Sequence, residues 1–442
     1  MKKLYSLLFL IILSGASFSQ DGFQFKSKRS KISIPFETSN NLVIIPVEIN
    51  GVNLSFLLDT GVDSTILFSL DKTDSIQFNN VEKIKVKGLG GGEPIDALYS
   101  KFNKVVVGDY QDKNHDLLII LDQQINFSSQ LGIPVHGIIG YQFFKDFPVE
   151  VNYDSRNVVV YRDMNYFSKR KLKNFKELPL TIELDKPYVT IPLVLNGNKM
   201  NSKMLIDSGS SDALWLFEDT SELIKIPKKN FEDFLGNGFS GEIFGKRSRT
   251  EEVFFGDESL QNVTISFPND ESLRNASFVA GRNGSVGSEI LKRFRVLYDY
   301  KNSKIYLKKN NYFDKPFNFN MSGLQVEHVG MQLVKEEIEL KTSFLQTTEE
   351  KNVFNASRKS IRYQFTLKPQ YQITNVRSGS PADLAGIKKG DILTKVNGLV
   401  SYKYKLNSII ELLQSEEGKT IKMEIDRKGM ILKTEFVLKD IL

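Results

Sequence analysis

Two triplets in this chain have the residue types and the setting to do chemistry: Asp59-Thr60-Gly61 and Asp207-Ser208-Gly209. Each follows an apolar run, Phe56-Leu57-Leu58 in one case and Met204-Leu205-Ile206 in the other. A strand that ends this way delivers a carboxylate into a tight turn at the edge of a core. Glycine lets the backbone bend where a Cβ would clash and leaves room for a second turn to approach. The hydroxyl before it can brace a facing loop through hydrogen bonds to backbone. Two carboxylates at close range cannot both ionise cheaply, so one keeps a proton at a pH where the other has lost it. An acid and a base in one site are enough to activate water and to protonate a leaving group. A single triplet of this kind is a common turn; two, each ending an apolar strand, are not.

The flanks of the triplets repeat, so the chain holds two copies of one β-rich unit. Upstream, Val43-Ile44-Ile45-Pro46 with Asn50-Gly51 matches Val189-Thr190-Ile191-Pro192 with Asn196-Gly197. Both read as a strand, an Asn-Gly hairpin turn and a second strand that delivers the Asp. Downstream, Gly137-Ile138-Ile139-Gly140 ends 81 residues after Asp59, and Gly284-Ser285-Val286-Gly287 ends 80 after Asp207. Each tetrad is followed by a Phe, a Tyr-Asp pair and a β-prone run, residues 157–161 and 304–307. Between triplet and tetrad each copy carries a glycine-rich stretch, Gly88-Leu89-Gly90-Gly91-Gly92 and Gly236-Asn237-Gly238-Phe239-Ser240-Gly241. Their recurrence at one position favours mobile hairpins over the carboxylates, excluding water and gripping substrate backbone. Neither is a phosphate loop, because no Gly-Lys-Ser/Thr follows.

On these motifs the two halves resemble aspartic peptidases of the retropepsin/pepsin clan, with both lobes fused in one chain, over residues 30–312. The resemblance implies a catalytic dyad of Asp59 and Asp207, braced by Thr60, Gly61, Ser208 and Gly209. It implies supporting loops at Ile139-Gly140 and Val286-Gly287, and flaps that meet substrate at Gly88, Leu89, Gly90, Gly238 and Phe239. Three positions depart from the family pattern. Val62 stands where Ala, Ser or Thr is usual, Ser285 replaces an apolar residue, and the first flap has no Tyr in its glycine-rich core.

Composition narrows the alternatives. With 442 residues and 40% hydrophobic content the chain can bury several cores. Residues 1–19 read as a secretory signal: Lys2 and Lys3, an apolar stretch to Leu13, then small residues at Ser17 and Ser19. No other run is long enough to span a membrane. The absence of Cys from an exported chain fits a Gram-negative periplasm or cell envelope. The net charge of +6 is scattered, and the cluster Lys169-Arg170-Lys171-Lys173 reads as a solvated linker, so no nucleic acid is expected. His115, His136 and His328 are far apart, there is no Gly-x-Ser-x-Gly elbow, and neither a metal nor a cofactor is expected.

Beyond residue 320 the character changes. Residues 331–360 are polar with little periodicity and read as a loop, an insertion or a partly disordered segment. Gly379-Ser380-Pro381-Ala382-Asp383-Leu384-Ala385-Gly386 followed by Gly390-Asp391-Ile392-Leu393 resembles the signature of bacterial PDZ domains. The spacing of Leu406, Ile409, Ile410 and Leu413 predicts a helix. By this resemblance residues 370–376 form the peptide-capturing strand, with the carboxylate loop at 365–369.

The expected fold is therefore mainly β, with two pseudo-twofold related acid-protease lobes (residues 30–165 and 175–312) and an α/β PDZ domain at 320–442. The expected function is an exported aspartic endopeptidase acting on polypeptides, monomeric because one chain supplies both carboxylates. Its PDZ domain would hold a peptide C-terminus. The alternative is a peptide-binding scaffold whose lobes no longer cut.

Overall fold

Asn-Gly turns set the geometry on which both halves are built. The strands Leu42–Ile49 and Val52–Leu58 pair antiparallel around Asn50 and Gly51, both in the left-handed region (φ 48° and 92°). Lys186–Leu195 and Asn198–Asp207 do the same around Asn196 and Gly197 (φ 53° and 76°). Such turns match the right-handed twist of the strands they join and so pin the register. In each half the second strand ends at the Asp. The computed structural model describes residues 22–70, 75–122, 125–167, 169–274, 278–347 and 353–442. The expected signal segment lies outside the described residues.

Among the described residues the first hairpin belongs to a nine-stranded sheet and the second to an eight-stranded one. Between them runs a six-stranded sheet to which each half contributes three strands. Its central pair is antiparallel, Val149–Asn152 from the first half against Phe294–Asp299 from the second, with Val149 opposite Tyr298. The inward alternation of these strands feeds one continuous hydrophobic core, from Ile45 and Phe56 through Val151 and Val296 to Leu193 and Ile265. The mainly β, two-lobed, pseudo-twofold architecture is thus as the repeated flanks imply.

The C-terminal part has its own sheet and core, centred on Ile373, Leu393, Ile409 and Ile425. Ser380 caps the short helix Pro381–Leu384, its hydroxyl accepting from Asp383 N. Leu406, Ile409 and Leu413 turn the buried face of the helix Leu406–Leu413 onto this sheet.

Two expectations for this region are corrected. Residues 331–360 are not a loop over their described part: Leu324–Thr347 and Val353–Val376 form one long antiparallel ribbon, in register from Met331–Pro369 to Thr347–Val353. A two-stranded antiparallel ribbon pairs its backbone across the ladder without needing a buried face, so it imposes no strong hydrophobic period. The second correction concerns residues 370–376. That segment pairs with the ribbon's first strand on one side, and its Tyr371 and Gln372 pair with Leu393 and Ile392 on the other, so it lies inside the sheet. The edge strand is Leu324–Thr347, and the loop before it is 320–323, not 365–369.

The C-terminal domain is wedged against both lobes. Asn40 N donates to Asn407 Oδ1 (2.8 Å) on the first lobe's side. On the other side Arg377 pairs with Asp233 (3.3 Å) and Arg249 with Asp440 (3.0 Å). Arg293 ties down the connecting segment. Fully buried, it donates to the carbonyls of Tyr312, Phe313, Lys315 and Pro316 and to Glu289, and stacks on Phe317. Replacing it leaves these acceptors dry and unpaired. Arg293→Met is expected to cost about 3 kcal/mol or more, read as a lower unfolding midpoint in chemical denaturation.

Candidate functional site

The two Asp turns meet at the centre of the molecule, and four hydrogen bonds lock them together. Thr60 Oγ1 donates to Ile206 O (2.7 Å) and accepts from Ser208 N (3.0 Å). Ser208 Oγ donates to Leu58 O (2.9 Å) and accepts from Thr60 N (2.9 Å). Each hydroxyl is saturated by the opposite turn, and both side chains are buried. The reciprocity is the twofold symmetry written in hydrogen bonds.

The sheets deliver the carboxylates to this point. Gly137–Ile139 lies parallel to the first Asp-bearing strand, with Ile139 opposite Leu58, and Asp59 N donates to Ile139 O (3.0 Å). Arg282–Gly287 lies parallel to the second, with Val286 opposite Ile206 and Gly287 opposite Asp207. Gly140 and Gly287 sit where a Cβ would strike the carbonyls of Val62 and Asp212. His136, a packed residue, accepts from Ser55 N at Nδ1 (3.0 Å) and fastens the support segment to the first strand.

Close approach explains the other two glycines. A Cβ on Gly61 would lie 2.8 Å from Asp207 Oδ1 and 3.1 Å from Asp59 Oδ1, so those two oxygens are within 6 Å of each other. A Cβ on Gly209 would collide with the Asp59 carboxylate. Gly61 N and Gly209 N each donate to the Oδ1 of their own Asp (2.7 and 3.1 Å). Burial first, and then the charge of Asp207, raise the Asp59 carboxyl from 3.8 to about 7. Burial also raises Asp207, but there Arg282 works against it.

Arg282 was not singled out by its type or motif. It lies half-buried beside Asp207, donates to Ser285 Oγ (2.7 Å) and Gly284 O (3.1 Å), and stacks on Phe217 and Phe278. Aligning the two copies on their tetrads places Val135 opposite it. A cation in one copy where the other has an apolar residue is the signal that could have found it.

Both glycine-rich stretches are hairpin tips, and they touch. Val81–Val86 with Ile95–Val107 forms one flap, and Phe231–Gly238 with Gly241–Phe255 forms the other. Ser240 latches them: its N donates to Leu89 O (2.9 Å), its carbonyl accepts from Gly92 N (2.8 Å), and its hydroxyl accepts from Gly88 N (3.1 Å). Gly90 and Gly238 lie where side chains would strike Gly241 and Leu89. Phe239 packs on Phe68 and Phe127. Beneath the flaps is a cavity of about 1020 Å³ lined by Asp59, Asp207, Leu89, Phe239, Trp215 and Arg282.

Comparison with known proteins agrees with both resemblances. An aspartyl protease family model matches residues 45–143, and a PDZ domain model matches residues 372–427. A probable CtpA-like serine protease of Staphylococcus haemolyticus (strain JCSC1435) is 38% identical over 58 residues, 13% of this chain. The matched part is 12% of that protein's length. Among solved structures the aspartic proteinase from Irpex lacteus aligns with a TM-score of 0.40 and 10% identity, over 64% of this chain and 99% of that one.

Two outcomes follow from the lock and its carboxylates. Thr60→Val strips Ser208 N and Ile206 O of their partner inside the core, which is expected to cost about 2–4 kcal/mol, read by thermal unfolding. The Asp59 carboxyl binds its proton more tightly folded (about 7) than at its ordinary 3.8, so its stabilising contribution is full below about pH 4 and lost as pH rises through about 7. The unfolding midpoint should therefore fall between pH 5 and pH 8.5 by more in the wild type than in Asp59→Asn.

Proposed function

We propose that this chain is an exported aspartic endopeptidase that hydrolyses internal peptide bonds between Asp59 and Asp207. The observation that carries the reading is the reciprocal Thr60–Ser208 lock, which holds the buried Asp59 carboxyl and the half-buried Asp207 carboxyl facing one space beneath latched flaps. The aspartyl protease match over the first lobe supports a peptidase. Residues 1–19 support export, and no helix among the described residues is long and apolar enough to cross a membrane.

Arg282 assigns the roles within the pair. Its charge favours ionised Asp207, while burial and that same carboxylate favour protonated Asp59. In the reaction Asp207 takes a proton from a water whose oxygen attacks the scissile carbonyl carbon. The Asp59 hydroxyl gives its proton to the carbonyl oxygen, forming a neutral tetrahedral diol. On collapse one diol hydroxyl returns its proton to Asp59 while Asp207 passes its own to the amide nitrogen. The C–N bond breaks, and the products are a carboxylic acid and an amine. The flaps supply the backbone groups that hold an extended chain across the carboxyls and keep bulk water out.

The test is cleavage of a mixed peptide library by the mature chain. Asp59→Asn and Asp207→Asn should each abolish turnover, and wild-type activity in either variant would end the dyad reading. Activity should rise as pH falls through about 7, where the pair gains its single proton, and decline again once Asp207 protonates. Statine-containing peptides should inhibit, since their tetrahedral hydroxyl mimics the diol. Arg282→Met removes the cation that favours ionised Asp207, so the acidic limb of the kcat profile should move up by about 1 pH unit or more.

A further inference from the structure

The catalytic cavity does not end at the lobes. Its wall continues through Asn320 on the loop 320–323 and Leu324 and Val326 on the edge strand to Ile410 and Leu413 on the helix Leu406–Leu413 and Gln414 at its end. The space between that strand and that helix is therefore one space with the cleft. The first lobe's helix Phe127–Leu131 packs against the strand, so a chain that pairs with the strand and runs on beneath the flaps must displace it.

At the end of this groove the loop amides are already taken. Asn320 Oδ1 accepts from Ser322 N (3.1 Å), Gly323 N (3.1 Å) and Ser322 Oγ (2.6 Å). Ser322 Oγ in turn accepts from Leu324 N (3.1 Å). Asn320 Nδ2 donates to Leu324 O (2.7 Å), the first carbonyl of the edge strand. A carboxylate bound in a backbone nest would need those amides, and the residue carrying it would donate to such an edge carbonyl. One asparagine side chain makes both kinds of bond. The guanidinium beside the loop, Arg377, donates to Asn320 O (3.3 Å). Arg377 pairs with Asp233, which pairs with Arg247, which pairs with Asp212, so this row of four is neutral.

We propose that the groove takes an internal, extended segment of polypeptide with apolar side chains, not a free C-terminus, and that Asn320 is the residue that removes the carboxylate requirement. The apolar demand comes from Ile410, which is partly exposed on the groove wall, backed by the core residues Leu324, Val326 and Leu413. An added strand gains main-chain bonds from the edge and puts alternate side chains into the groove. This deepens the peptidase reading by naming its substrate as the middle of an unfolded chain, threaded from groove to cleft.

The test is binding, and it needs no turnover. Full-length protein carrying Asp59→Asn is titrated with a fluorescein-labelled peptide of alternating valine and threonine, made as free acid and as C-terminal amide, and followed by anisotropy. The two forms should bind within about twofold of each other, whereas adding Asn320→Ala should favour the acid by about tenfold or more, the worth of amide hydrogen bonds to a charged group. Asn320→Asp, which keeps the acceptor but adds a like charge, should weaken the acid and leave the amide unchanged. Ile410→Asp should weaken both by about tenfold or more. The proposal is overturned by a tenfold acid preference in the starting protein, by an unchanged ratio in Asn320→Ala, by intact binding in Ile410→Asp, or by no binding of either peptide. If the wild type fails to cleave while these ratios hold, the peptidase reading falls and the groove assignment stands.

Discussion

Everything at the centre of this molecule depends on two hydroxyls that each serve the opposite turn. Thr60 and Ser208 lie 148 residues apart in sequence, yet each fills the hydrogen-bonding needs of the other's backbone. A buried amide or carbonyl without a partner costs about 1–3 kcal/mol, so neither turn is satisfied until the two lobes have docked. The lock therefore couples folding of the two halves to assembly of the site. It also imposes the unfavourable feature on which the proposed chemistry rests, because it presses two carboxyls together at the edge of the core. The stability of the interlobe sheet, with its continuous core, must offset that repulsion.

Symmetry at the lock is broken one layer out. The first copy has Val135 where the second has Arg282, and only the second carboxyl has a half-buried guanidinium beside it. A symmetric pair would share its proton evenly. On the proposed reading an asymmetric one has an acid and a base before any substrate arrives, at the cost of half-burying a cation on Phe217 and Phe278. Duplication followed by divergence at one support strand is sufficient to produce this.

The parts legible in sequence were those in which chemistry and backbone geometry coincide. Asp-Thr/Ser-Gly at a strand end, Asn-Gly before it and Gly-rich tips between strands each demand a residue type that few others can replace. Such demands survive in the string, and a repeat doubles them. Ser240 and Asn320 were not legible, because a small polar residue in a loop is ordinary and its partners come from distant segments. The ribbon was missed for a different reason. Met331, Leu333, Phe365 and Leu367 stay largely exposed, so no buried face imposes a clean alternation on its neighbours. Reading the polar run as a loop, an insertion or a partly disordered segment then hides the edge strand, because that run makes up most of Leu324–Thr347 and the start of its partner. The capture strand was accordingly assigned to the segment whose signature is strongest, which lies inside the sheet.

The position of the C-terminal domain follows from what its sheet leaves unpaired. An open strand edge is a hazard unless it is covered or used. Here the edge at Leu324–Val326 faces the cavity, shielded by the second flap and by the helix Phe127–Leu131 of the first lobe, which packs against that strand. Arg377 reaches from this domain to Asp233 on the flap strand, and Phe319 meets Phe231 beside it. The flap that must move to admit a chain is thus braced at its root by the domain that would hold that chain. An extended segment entering the groove displaces nothing in the Asp233 network, whereas a terminal carboxylate would add a charge next to a row that is already neutral. The packing that protects the edge from aggregation and the electrostatics at its end favour the same occupant, a strand that passes through.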